Sequence, residues 1–325
     1  MTPSQWTPQF VQANGIALAT YQAGAGPAVV LLHGFPELAY SWRTQVATLA
    51  AHGWRAIAPD LRGYGETGPH GDVAAYSMRN LSRDVVGMLD ALQIERAIVV
   101  GHDFGGALAW SIARDHSERV AGVVSLNTPY TRRGTQDLVR SMQQYRGPSN
   151  YMVMFQKPGV GEALLQRDVA ATFRGLMRRP AMTLAQFRQA SERLRALPMT
   201  LFVGEPEVMG EPVMSDDDLQ VYIAAFQKTG FTGALNWYRN LEQNWHDTAA
   251  SSDTINVPAL MIAASDDFFL PPDTTRGMER HVPDLEMQLI ETCGHWTQHE
   301  RPEAANAIIL DWLERRMRPL VGRAA

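Results

Sequence analysis

A single cysteine, Cys293, serves a chain of 325 residues, which excludes an internal disulfide and agrees with a reducing compartment. Lysine is almost as scarce: with only Lys157 and Lys228, 27 of the 29 basic residues are arginine, a bias that reflects genome base composition rather than function. No apolar run approaches the ~18 residues that a membrane span requires. The opening Met1-Thr2-Pro3-Ser4-Gln5 also lacks the charged and apolar regions of a secretory signal. A cytoplasmic location is therefore expected. An excess of positive charge is missing too: the net charge of -5 and pI near 6.0 argue against nucleic acid or an anionic membrane surface as partner. What the chain does have is 45% apolar and 19% charged residues, enough for a sizeable core in one large domain or in a domain with an insertion. No internal repeat or low-complexity tract interrupts it.

The first 130 residues alternate between two hydrophobic periods. Asn14-Gly15, a strong hairpin signal, separates two short β-type runs at 10–13 and 16–19. The run Ala28-Val29-Val30-Leu31-Leu32 is continuous rather than alternating, as expected of a strand buried on both faces, and ends in His33-Gly34-Phe35-Pro36-Glu37. Helix 41–52, strand 54–58, the turn Asp60-Leu61-Arg62-Gly63-Tyr64-Gly65, helix 77–92, strand 97–100, helix 106–114 and strand 120–126 follow. Strands alternating with helices predict a doubly wound, mostly parallel sheet. The alternation stops over 131–253, where helical patterns at 161–178, 184–195, 216–226 and 234–248 predict an inserted lid, the third opened by a capping box from Ser215 and Asp218. Sheet-type order resumes with strand 259–263, the turn Ser265-Asp266-Asp267, a short helix near 275–281, strand 287–290 and the turn Thr292-Cys293-Gly294-His295. A final helix starts at Pro302, burying Ala305, Ile308, Ile309, Trp312 and Leu313. The expected domains are a core of 1–130 and 254–325 and a cap of 131–253.

The chemistry centres on Val99-Val100-Gly101-His102-Asp103-Phe104-Gly105-Gly106, an apolar run that breaks at glycines and turns helical. This pattern predicts a nucleophile elbow, a sharp strand-to-helix bend that glycines permit; taken alone, Asp103 could also be an ordinary helix N-cap. A serine attacking an sp3 carbon leaves an ether that water cannot reverse. Aspartate leaves an ester whose acyl carbon belongs to the enzyme, so a water activated by histidine regenerates the carboxylate and releases an alcohol. Partners are expected beyond the carboxyl ends of later strands, where Asp267 and His295 fall. Asp266 is the rival for the acid, and His102 and His299 for the base. The backbone N–H groups of Phe104 and Phe35 are the expected oxyanion hole. Phe35, Trp110, Met152, Phe155 and Phe268 are expected to line an apolar pocket. Arg174, Arg178, Arg179, Arg188, Arg193 and Arg195 fit either a solvated helix face or a lure for a substrate carboxylate.

Seven motifs in order give the sequence a specific resemblance. They are His33-Gly34-Phe35-Pro36, the Asp60 to Gly65 turn, the elbow, Asn127-Thr128-Pro129, Phe155-Gln156-Lys157-Pro158-Gly159, Leu235-Asn236-Trp237-Tyr238-Arg239-Asn240 and Cys293-Gly294-His295-Trp296-Thr297-Gln298. From His33 to Trp312 the chain resembles the soluble-type epoxide hydrolases of the α/β-hydrolase fold. The resemblance implies that fold with a helical cap, conversion of an epoxide and water to a vicinal diol, and a detoxifying role. It implies Asp103 as nucleophile, Asp267 and His295 as the rest of the triad, and Tyr151 and Tyr238 as lid donors to the epoxide oxygen. Two phenols suit that task, because tyrosine is a neutral donor at pH 7 yet acidic enough to give up its proton in a transition state. No cofactor or metal is expected; the partners are the epoxide and water, and a homodimer is compatible with the sequence. Some members add an N-terminal phosphatase-like domain, so the expectation is hydrolase function alone. A haloalkane or haloacid dehalogenase shares the aspartate, but haloalkane types usually carry Asn after His-Gly and Trp after the nucleophile, where this chain has Phe35 and Phe104. A non-catalytic receptor on the same fold normally has a serine elbow.

Overall fold

A computed structural model describes residues 6–203 and 209–322; the Met1 to Gln5 segment lies outside the described residues. Eight strands form one sheet: β1 (Gln9–Ala13), β2 (Ile16–Ala23), β3 (Ala28–Leu32), β4 (Arg55–Pro59), β5 (Ala97–His102), β6 (Val120–Leu126), then β9 (Ala259–Ala264) and β10 (Leu285–Ile290). Two further strands, β7 (Arg178–Pro180) and β8 (Met209–Pro212), pair antiparallel elsewhere. The sheet order is β1-β2-β4-β3-β5-β6-β9-β10. Only the pairings of β1 with β2 and of β2 with β4 are antiparallel. The β1–β2 hairpin turns on Asn14 and Gly15 with φ of 47° and 79°, the left-handed pair that a two-residue turn needs.

The continuous apolar runs are explained by burial on both faces. Along β3 and β5, Val30, Leu32 and Val99 enter one core, while Val29, Leu31, Ile98 and Val100 enter the other. The first core is covered by α2 (Met78–Ala91), α3 (Phe104–Asp115) and the helical insertion; the second by α1 (Arg43–Ala51) and the helix Pro302–Trp312. Helix α2 starts where Ser77 accepts from the amide of Asn80 at 3.4 Å, and it buries Leu81, Val85, Met88 and Leu89 as its spacing predicts. Among the described residues, no helix is long and apolar enough to cross a membrane.

The insertion between β6 and β9 is helical, but its helices are shorter than the periodicity predicts. The 161–178 pattern divides into Val160–Leu165 and Val169–Leu176, because Asp168 caps the second by accepting from Ala171 N–H at 2.9 Å. Ser191 likewise opens a separate helix, Glu192–Arg195, after Leu184–Gln189. The helix Asp216–Thr229 has only half of the expected capping box. Ser215 accepts from the amide of Asp218 at 3.2 Å, but the Asp218 carboxylate turns to Tyr40 Oη at 2.7 Å and Arg43 at 2.9 Å. That carboxylate thus ties the insertion to the sheet side of the molecule. A second tie runs through helix Thr232–Arg239, whose Trp237 indole donates to the Arg62 carbonyl at 3.0 Å; the Arg62 guanidinium is itself held by buried Asp84 at 2.6 and 2.7 Å.

Candidate active site

Strand β5 ends at His102, and Asp103 takes φ 52° and ψ -122° before α3 begins. This backbone is strained for a non-glycine residue, and it survives because the surroundings hold it. The Asp103 carbonyl accepts from Thr128 Oγ1 at 2.7 Å and from the amides of Gly106 and Ala107 at 3.0 and 3.1 Å. Glycine is obligatory at the bend, since a Cβ on Gly101 would strike the Gly105 carbonyl and one on Gly105 the Leu32 carbonyl. The Asp103 side chain, 19% exposed, does not cap its own helix. Its Oδ1 accepts from the amide of Phe35 at 2.8 Å, and its Oδ2 lies 3.8 Å from His295 Nε2. Phe104 N–H begins α3, where a helix start leaves amides without intrahelical acceptors.

His295 Nδ1 meets Asp267 Oδ2 at 3.0 Å. Asp267 is fully buried and also accepts from Asn127 Nδ2 at 2.8 Å and from the amides of Phe269 and Leu270 at 2.8 and 3.0 Å. Burial opposes its charge, but His295 and these donors hold it below the ordinary carboxylate range. Asp266 points elsewhere, accepting from Leu184 N–H at 2.9 Å. His295 is pushed up to about 9: burial works against the imidazolium, while Asp267, Asp103 and Glu37 outweigh it. The linked stability has a definite sign, because a folded pKa raised above 6.5 stabilises below pH 6.5 and the contribution fades as pH climbs through 9. The stability difference between wild type and His295→Gln should shrink by roughly 3 kcal/mol between pH 6.5 and 10. Denaturant unfolding across that range checks this; a pH-independent difference would remove the charge from the resting histidine.

His102 and His299 lie behind the triad. His102 bridges buried Glu37 Oε2 at 2.8 Å and the His295 carbonyl at 2.7 Å, and His299 Nε2 is 3.4 Å from Glu37 Oε1. Glu37 also accepts from Gly34 N–H at 2.9 Å and Gln298 Nε2 at 2.7 Å. Burial pushes Glu37 up, but the two imidazoles more than reverse it.

The two tyrosines of the insertion pack against each other, and the Asp103 charge acts on both. The rings of Tyr151 and Tyr238 are 5.8 Å apart at 84°, and Tyr238 packs edge-on against Phe35 at 5.1 Å and Phe104 at 4.7 Å. Both phenols are buried, and burial is the main reason that their pKa values rise; the Asp103 charge comes next for Tyr151, and Tyr151 and then Asp103 for Tyr238, so both stay protonated. Phe155 completes the aromatic wall at 5.9 Å from Tyr151 and 5.2 Å from Tyr238, with half-buried Met152 packed on the same core. Two other expected wall residues have further partners of their own. Trp110 donates its indole N–H to the Thr128 carbonyl at 3.0 Å and packs on Tyr130 at 5.8 Å. Phe268 stacks on Phe187 at 4.3 Å and 6°. Its neighbour Phe269, which the sequence reading missed, faces His295 at 4.9 Å and Tyr151 at 5.9 Å. Of the arginines, Arg178 donates to the Arg174 and Gly210 carbonyls, Arg195 to Ala190, and Arg188 pairs with Asp273. Surface clefts of about 490 and 300 Å³ are lined by none of Asp103, Tyr151, Tyr238, Asp267 and His295, and among the described residues no cluster suits a metal ion.

An eight-stranded sheet, an aspartate elbow and a helical insertion before the acid define an α/β-hydrolase, and the family described as alpha/beta hydrolase fold matches residues 27–302. The bifunctional epoxide hydrolase 2 of Sus scrofa is 40% identical over 313 residues, covering 94% of this chain and 55% of that protein. The chain thus spans about half the length of the mammalian relatives it matches. Epoxide hydrolase A of Mycobacterium tuberculosis is 39% identical over 316 residues, covering 94% of this chain and 97% of the relative. The crystal structure of epoxide hydrolase A from Mycobacterium thermoresistibile superimposes with a TM-score of 0.85 at 35% identity, over 95% of this chain and 98% of that one. The chain belongs to the epoxide hydrolase family of the α/β-hydrolase fold.

Proposed function

We propose that this protein opens an epoxide with Asp103, holds the product as an alkyl ester, and hydrolyses that ester to a vicinal diol. The observation that carries this reading is one carboxylate that meets a backbone donor and an imidazole and whose charge acts on two buried neutral phenols. Residues 131–253 serve as the cap, and Tyr151 and Tyr238 are its contribution to the chemistry. The single cysteine and the lack of a spanning helix among the described residues support a cytoplasmic location. The reading needs no partner beyond epoxide and water.

In the first step Oδ2 of Asp103 attacks a ring carbon, since Oδ1 is engaged by Phe35 N–H. The carbon–oxygen bond of the ring breaks, and the oxygen takes a proton from a tyrosine. Esterification removes the Asp103 charge that helps hold a proton on His295, so the imidazolium releases its proton to the tyrosinate and becomes a base. In the second step His295 takes a proton from water as the water attacks the Asp103 carbonyl carbon. The oxyanion forms on Oδ1, beside the amides of Phe35 and Phe104. Collapse expels the diol oxygen, which recovers the proton from His295.

Diol formation and halide release, measured side by side on matched epoxides and haloalkanes, test the reading. Diol alone supports it; halide alone assigns a dehalogenase. Tyr151→Phe and Tyr238→Phe should each slow alkylation by about 2–4 kcal/mol, as loss of a preorganised donor does elsewhere, and the double variant should be nearly inactive. Single-turnover rates measure this, and a double variant at wild-type speed would reduce both tyrosines to packing.

A further inference from the structure

Glu300 is a carboxylate that the chemistry above does not use, and it is 5% exposed. It stands on the short helix Thr297–Glu300, immediately after the loop that bears His295. Its Oε2 accepts from the amide of Gly294 at 2.9 Å and its Oε1 from the amide of Trp296 at 3.0 Å. These are the residues on either side of His295. No hydrogen bond or ion pair to a cationic side chain accompanies the two amides among the described residues; burial raises its pKa, the two amides work against that, and the more distant Asp267 and Arg179 charges act in opposite directions. A buried anion satisfied by two backbone donors is an expensive way to close a loop, since a neutral acceptor would avoid the desolvation of a charge. The surroundings are equally restrictive. A Cβ on Gly294 would strike Pro180 of the insertion and approach Glu300 Oε1 at 2.9 Å, so that loop and carboxylate are fitted face to face.

The other polar groups around His295 are fastened as well. Its carbonyl accepts from His102 Nε2 at 2.7 Å, and its Nδ1 meets Asp267 at 3.0 Å. The Trp296 indole donates to the Leu176 carbonyl at 2.9 Å. Among the described residues Glu300 supplies the only side-chain acceptor for the amides bracketing the residue, so it controls where the ring sits along the chain direction, whereas Asp267 controls its rotation. The two half-reactions depend unequally on that placement. Alkylation is carried by Asp103 and the tyrosines, none of which stands on this loop, and His295 aids it only through its charge. Ester hydrolysis needs His295 Nε2 to hold a water against the acyl carbon, and the present 3.8 Å to Asp103 Oδ2 leaves little latitude.

We infer that Glu300 is a positioning residue for the hydrolytic half-reaction, acting through the two amides that flank His295 to hold the imidazole in register with the ester at Asp103. This rests on the covalent reading of Asp103. Glu300→Gln keeps the shape but replaces one acceptor oxygen with an N–H donor facing an amide donor. Hydrolysis of the alkyl-enzyme should slow at least 10-fold while alkylation changes less than 3-fold. In steady state kcat and KM should then fall together, with kcat/KM within 3-fold of wild type, and intact-protein mass spectrometry should find a larger alkylated fraction during turnover. Glu300→Asp, which keeps the charge but reaches less far, should lie between wild type and Glu300→Gln.

A merely structural Glu300 would lower Tm and leave the ratio of the two rates at its wild-type value; that outcome overturns the inference, as does a proportional loss of kcat and kcat/KM. If Glu300→Gln does not fold by circular dichroism, Glu300→Asp decides alone, and an unchanged ratio there is equally fatal. Failure of the underlying reading looks different: the wild-type enzyme itself would then form no adduct on the peptide containing Asp103.

Discussion

Mixed with a neutral epoxide, the His295→Gln enzyme should become heavier by one substrate molecule and stay so. Asp103 and both tyrosines are intact in that variant, so alkylation proceeds, but the imidazole that stands 3.8 Å from Asp103 Oδ2 and would take a proton from water is gone. Glutamine keeps polar volume beside Asp267 and limits collapse of the site. Peptide mapping should place the added mass on the peptide containing Asp103. Alkylation should be slower than in wild type, because the imidazolium that faces Asp103 Oδ2 is gone, so incubation for hours is appropriate. In the wild-type enzyme, a single turnover in 18O-water should deliver product oxygen from Asp103, with solvent label appearing only in later turnovers. If the variant stays unmodified while first-turnover product carries solvent oxygen, water attacks the epoxide directly and no ester forms.

Removing the nucleophile has the other large effect. Asp103→Ala should lose all measurable turnover, and Asp103→Ser should not recover it, because an ether formed at serine has no acyl carbon for water to attack. Stability should hardly move. Among the described residues the Asp103 carboxylate makes one hydrogen bond, from the Phe35 amide, while the bend is secured through its carbonyl by Thr128, Gly106 and Ala107. Circular dichroism and Tm near wild type, together with absent diol, are the expected results; diol at a wild-type rate in either variant would move the nucleophile elsewhere.

Much of this arrangement was legible before any coordinates. Strands buried on both faces write continuous apolar runs, so β3, β5 and β6 were evident, and a left-handed pair at Asn14-Gly15 announced the hairpin. The elbow was evident for the same local reason, since glycines must flank a bend this tight. Contacts between distant segments were less accessible. Asp218 sits three residues after Ser215, as in a capping box, yet Tyr40 and Arg43 compete for its carboxylate from 178 and 175 residues away. Phe268 and Phe269 are equally apolar, and only the conformation after Asp267, whose Oδ1 turns back to the amides of Phe269 and Leu270, decides which ring meets His295. The strands β7 and β8 are three and four residues long and each contains a proline, so neither leaves a β-type pattern. Glu37 follows His33-Gly34-Phe35-Pro36 directly, but its partnership with Gln298 spans 261 residues and has no local signature.

The hydrogen bond from Phe35 N–H to Asp103 Oδ1 divides its effect unevenly over the reaction coordinate. Before alkylation it stabilises a full carboxylate; as the ester forms, Oδ1 becomes a carbonyl oxygen with less charge, so the donor favours the starting state and blunts the attacking group. When water adds, Oδ1 regains a full negative charge and the same donor lowers that barrier. One backbone amide therefore restrains the first step and assists the second. The phenols opposite must supply the excess for ring opening, and a stronger donor at Phe35 would make a worse nucleophile and a more labile ester together.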